Sequence, residues 1–88
     1  MCVYCIWKGK CIFSVGDGVG TGEKELDDAD TSEECIKEVI AQEPTANGVT
    51  YGGGGNGKAC YAEFGMTHVK PASYTWSACR CMYIHLYK

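Results

Sequence analysis

Seven cysteines in an 88-residue chain constrain this sequence more than any other feature. A chain of this length makes one domain and sits near the size at which an apolar core alone is marginally sufficient. Crosslinks change that balance, because each disulfide contributes about 2–4 kcal/mol by restricting the unfolded chain. Such cysteine density favours an oxidising, extracellular compartment, so the expectation is a secreted, disulfide-stapled single domain spanning residues 1–88. The opening stretch, MCVYCIWKGKCIF, has Lys8 and Lys10 among its apolar residues and no small-residue cleavage site, so it is not a signal peptide. A secreted form would have shed its leader; a native start at Met1 would weaken the redox argument.

Charge narrows the partners. Eleven acidic and eight basic side chains leave a formal charge of -3, and apart from Lys8 and Lys10 the basic residues are scattered singly. No polybasic face is available to neutralise phosphates, which argues against nucleic acid and anionic membranes. The apolar runs are too short to span a bilayer.

Two glycine-rich stretches imitate nucleotide motifs and fail as such. In YGGGGNGKACYAEF, Gly52, Gly57 and Lys58 have the spacing of a phosphate-binding loop. Ala59 follows the Lys, however, and has no oxygen for Mg2+; the residues up to Phe64 reach Gly65 too soon for a helix. They read as a strand, with Gly52 to Gly57 as its hairpin loop. GDGVGTGE, Gly16 to Glu23, lacks the glycine order of a dinucleotide fingerprint and, counted from Asp17, too many carboxylates are missing for a calcium loop. It reads as a loop.

One helix is clearly written. Thr31 and Glu34 form a capping box, Cys35, Ile36, Val39 and Ile40 make one apolar stripe, and Pro44 ends the run, predicting a helix over Ser32–Gln42. Asp27, Asp28 and Asp30 read as solvated partners of the helix dipole. Beyond the helix, Asn47-Gly48 turns the chain into a strand at Val49-Thr50-Tyr51, and Lys58 to Phe64 returns beside it. Alternation puts Cys60, Ala62 and Phe64 on one face of the second strand and Tyr61 and Glu63 on the other. The segment Tyr74 to Tyr87 alternates as well, with Trp76, Ala78 and Arg80 opposite Ser77, Cys79 and Cys81.

Cys35 on the inner stripe of the helix and Cys60 on the inner face of a strand are natural partners, closing a loop of about 25 residues worth roughly 3 kcal/mol. The other five cysteines cluster at the two ends. An antiparallel pairing of end strands favours Cys2 with Cys81 and Cys5 with Cys79, and an alternative closes the domain with Cys11 to Cys79; spacing does not choose. Cys2-x-x-Cys5 with Cys79-x-Cys81 also allows a four-thiolate zinc site, although the second pair has strand spacing, and disulfides are favoured. The segment carrying His68 and Lys70 reads as a loop; His68 and His85 are lone histidines, and no nucleophile has a base in its sequence context, so neither an enzyme, a cofactor nor a metal site is expected.

The order Cys11, Gly16-Asp17, Thr31-Ser32-Glu33-Glu34-Cys35, Gly48-Val49-Thr50-Tyr51, Cys60-Tyr61 and Trp76-Ser77-Ala78-Cys79 resembles the PAN/apple domain. EPTANGVTYG followed by CYAEFGMT is similar, more narrowly, to small PAN-like modules of marine invertebrate extracellular proteins. The likeness covers a core of about residues 11–80. It implies an α+β fold in which a single helix packs on a small curved antiparallel sheet of about four to six strands. It further implies Cys35 bonded to Cys60 and Cys11 to Cys79. Val39 stands where many members carry a second helical cysteine, which removes one bridge. The function implied is adhesion or recognition of protein or carbohydrate, without catalysis.

From these readings the expected ligand patch is Tyr51, Tyr61, Glu63, His68 and Lys70, since polar-tipped aromatics suit a surface that buries area and stays soluble. A secreted bioactive polypeptide such as a toxin, antimicrobial or haemostasis inhibitor is the alternative, and a thiolate metal-binding protein is a third. An odd cysteine count leaves one thiol for a homo-oligomer or a covalent partner, with Cys2 at a frayed terminus most exposed to this. A reducible dimer band on a non-reducing gel is the expected outcome; monomer alone, with one thiol open to maleimide, would exclude the covalent form.

Overall fold

Thr31 opens the helix as its sequence requires. In the computed structural model, which describes residues 13–53, 57–73 and 75–80, α1 spans Ser32–Gln42 and the Thr31 hydroxyl accepts from the Glu34 N–H at 3.1 Å. The return bond of the capping box lands one residue early: Glu34 Oε1 accepts from the Asp30 N–H, also at 3.1 Å. Cys35 and Val39 are buried and Ile36 packs beside them. The Glu43 N–H, bonded to the Val39 carbonyl at 2.8 Å, closes the last turn before Pro44.

Among the described residues the strands number seven, more than the sequence predicts. They are β1 Ser14–Val15, β2 Asp17–Val19, β3 Gly22–Leu26, β4 Gly48–Gly52, β5 Ala59–Phe64, β6 His68–Lys70 and β7 Trp76–Arg80. Five form an antiparallel sheet in the order β1-β7-β4-β5-β3, while β2 and β6 pair as a separate two-stranded sheet. The described residues therefore make a small α+β arrangement with one helix and antiparallel sheets. None of its described helices is long and apolar enough to cross a membrane.

Register decides which side chains meet which layer. Tyr51 lies opposite Cys60 and Ser77, and Val49 opposite Ala62 and Cys79, so these residues share the face that carries α1. Gly48, Thr50 and Gly52 point the other way, toward the two-stranded sheet. All five residues of β4 are buried, because the strand has a layer on each side. Close approach of the second layer depends on missing side chains. A Cβ on Gly18 would lie 3.0 Å from both Met66 Sδ and Thr50 Oγ1, and one on Gly48 would collide with Met66 Sδ. Asn47 fixes Met66 from outside the sheet, accepting its N–H at 2.7 Å and donating to its carbonyl at 3.0 Å.

Two loop readings are corrected here. Gly16 to Glu23 is not a loop but strand β2 and the start of β3, and the segment carrying His68 and Lys70 is strand β6. Gly18, flanked by Gly16 and Gly20, leaves β2 without a side chain on the face it lays against Thr50 and Met66, so the stretch carries no apolar alternation to announce a strand. The hairpin reading of Gly52 to Gly57 holds at its described ends: β4 and β5 are antiparallel and the Lys58 N–H bonds the Gly52 carbonyl at 2.9 Å.

Cys35 and Cys60 form a disulfide with Cα atoms 5.5 Å apart, tying α1 to β5. Leu26, Ala29, Val39, Ala46, Val49, Tyr51, Ala62 and Cys79 complete the buried cluster around it. Cys79 is disulfide-bonded, which removes it from the four-thiolate zinc alternative. The pairings expected for Cys2, Cys5, Cys11 and Cys81 lie outside the described residues. Replacing Cys35 and Cys60 together with Ala is expected to cost about 2–5 kcal/mol in urea unfolding; an unchanged midpoint would show that the crosslink does not stabilise the domain.

Candidate functional site

On the sheet face away from α1, the side chains of Tyr61, Glu63, Trp76 and Glu23 project together. The pairings Thr50 with Tyr61, Gly52 with Trp76 and Glu23 with Glu63 put all of them on that side. Gly52 contributes no side chain between the two rings, and Tyr61 and Trp76 meet with centroids 5.9 Å apart at an interplanar angle of 56°. The tilted pair forms one wall of a recess of about 260 Å³, completed by Asp17, Glu23, Lys70 and Ala72. A second recess of about 290 Å³ shares Asp17, Glu23 and Lys70 and ends at Glu63. Together they make one groove between the edge of the large sheet and the β2–β6 layer.

The floor of the groove is a buried carboxyl group. Glu63 is only 1% exposed. Its Oε2 accepts a 2.6 Å hydrogen bond from Thr50 Oγ1, which itself accepts the Gly18 N–H at 3.1 Å. Burial, above all, pushes the Glu63 carboxyl up to about 8; the Thr50 hydroxyl opposes the rise, and the carboxylates of Glu23 and Asp17 add to it. At neutral pH Glu63 therefore holds a proton beside Glu23. Tyr61 is raised as well, by burial first and then by Glu25, Glu23, Asp17 and Glu63. Carboxylate oxygens of Asp17, Glu23 and Glu63 lie within 4.8 Å of one another, close enough to share a cation. A proton held between Glu63 and Glu23 satisfies the same arrangement.

The five residues expected to form a ligand patch divide. Tyr61 and Lys70 line the groove. Glu63 is on the expected face, yet it is a buried floor and not an exposed contact, because the β2–β6 layer covers it. Tyr51 is a correction: one residue out of phase with Thr50, it faces α1, is 8% exposed, and donates its hydroxyl to the Ala29 carbonyl at 2.6 Å. His68 is exposed on β6, with its Nδ1 2.9 Å from Thr67 Oγ1, and does not line the groove. Asp17, Glu23 and Trp76 were missed or left aside by the sequence reading. The first two sat in a stretch read as loop, and their meeting with Glu63 depends on sheet register that spacing does not specify.

The raised carboxyl makes stability pH-dependent with a definite sign. Between the ordinary value of 4.5 and about 8 the native state binds more protons at Glu63 than the unfolded chain does, so stability falls as pH rises through that window. In thermal melts, Glu63→Gln is expected to flatten this decline and to exceed the parent protein in stability above pH 8. Coincident pH profiles for the two proteins would overturn the assignment. No family model matches the chain, and neither a curated protein nor a solved structure is detectably similar to it.

Proposed function

We propose that this domain is a non-enzymatic recognition or adhesion module that binds protein or carbohydrate outside the cell through the groove beside Tyr61 and Trp76. The observation that carries this reading is the half-buried ring pair, which walls a concave recess rimmed by Asp17, Glu23 and Lys70. Rings with polar neighbours at the rim bind by burying area while the charged groups set orientation. An extracellular setting agrees with the cysteine density and with the oxidised Cys35 and Cys60. A PAN/apple-like identity is supported by the one helix among the described residues, which packs on an antiparallel sheet, and by that disulfide, both implied by the resemblance.

Tyr61→Ala and Trp76→Ala, each compared with the parent on a glycan array and on immobilised extracellular proteins, provide the test. Retention is expected to fall at least about tenfold in both variants, while the lost ring contact itself costs only about 0.5–1.5 kcal/mol of stability and the variants stay folded. Retention that survives both changes, or that disappears only because the variants unfold, would remove the groove as the binding site.

A further inference from the structure

The groove's charge is lopsided. Asp17, Glu23 and Glu25 bring three carboxylates to the neighbourhood of the Tyr61 ring, Glu63 lies beneath them, and Lys70 is the one ammonium among the lining residues. Both aromatic faces carry the negative side of a ring quadrupole, and their tilt makes a corner instead of a flat platform. A flat sugar ring is best served by a platform with mixed donors and acceptors. A corner of two rings beside a cluster of carboxyl groups instead suits a positive group on an apolar stem.

We propose that the groove takes a cationic side chain, arginine or lysine, from a partner protein, with its aliphatic stem against Tyr61 and Trp76 and its charged end on Asp17 and Glu23. This rests on the recognition reading above and narrows its ligand. The carboxylates of Asp17 and Glu23 accept the hydrogen bonds of a guanidinium fork or an ammonium, and the rings add attraction to the cation. Lys70, on the rim of both recesses, competes with the incoming charge. Its ammonium therefore lowers affinity for such a ligand, whereas it would raise affinity for an acidic one.

Nα-acetyl-arginine methylamide and its neutral isostere, Nα-acetyl-citrulline methylamide, are the probes, titrated into the intact 15N-labelled protein. Shifts at the Trp76 indole N–H and the Tyr61 amide are expected with at least about tenfold tighter binding of the arginine probe. Glu23→Gln and Asp17→Asn, which relieve repulsion among acids and so keep the fold, are each expected to weaken it severalfold. Lys70→Gln is expected to strengthen it. Equal binding of citrulline, weaker binding in Lys70→Gln, or no shift at Tyr61 and Trp76 would overturn the proposal. If arginine fails while a neutral glycan shifts the same resonances, the cation assignment falls and the recognition reading stands; if neither shifts them, both fall.

Discussion

Burial of β4 on both faces is the constraint that organises this domain. Its five residues are all buried, so one face must be apolar for the helix and the other small enough for a second sheet to lie close. Val49 and Tyr51 meet the first need. Gly48, Thr50 and Gly52 meet the second, and Thr50 is the only one of the three with a polar atom to satisfy. Its hydroxyl accepts from Gly18 of β2 and donates to Glu63 of β5, so one side chain joins three strands from two sheets. Buried polar groups left without partners are costly, and here each settles the other.

That arrangement also creates the site. The β2–β6 layer covers Glu63 without sealing the sheet edge, and the uncovered remainder is the groove beside Tyr61 and Trp76. Desolvation under the layer and the carboxylates of Glu23 and Asp17 keep Glu63 protonated at neutral pH. The domain thus combines a neutral, hydrogen-bonded floor with an acidic rim. On the opposite face Tyr51 spends its hydroxyl on the Ala29 carbonyl, anchoring the approach to α1, and the Lys58–Asp30 pair at 3.0 Å lies in solvent nearby. Exposed pairs of this kind add little to stability.

The Cys35–Cys60 bond complements this layering by crosslinking the helix to the strand beside β4. It joins elements whose apolar faces already meet, so packing and crosslink act on the same interface. Asn47 does comparable work at the far side, holding Met66 through both of its backbone groups beneath the second layer.

Local signals were enough for the helix, its cap, the β4–β5 hairpin and the inward faces of Cys35 and Cys60, because each depends on residues within a few turns or on strict alternation. Alternation likewise separated Tyr61 and Glu63 from Cys60. The patch reading went astray at Tyr51, whose polar tip suggested a surface residue, although its register opposite Cys60 places it with the core. The glycines at Gly16, Gly18 and Gly20 concealed a strand, since a face without side chains has no hydrophobic pattern to read. Composition and short-range periodicity by themselves determined an acidic, cysteine-rich chain with a capped helix, an antiparallel hairpin and two inward-facing cysteines. Which strands became neighbours, that a second sheet buried Glu63, and that Asp17, Glu23 and Trp76 joined Tyr61 were decided only in the tertiary structure, because long-range register brings together residues that share no local signal.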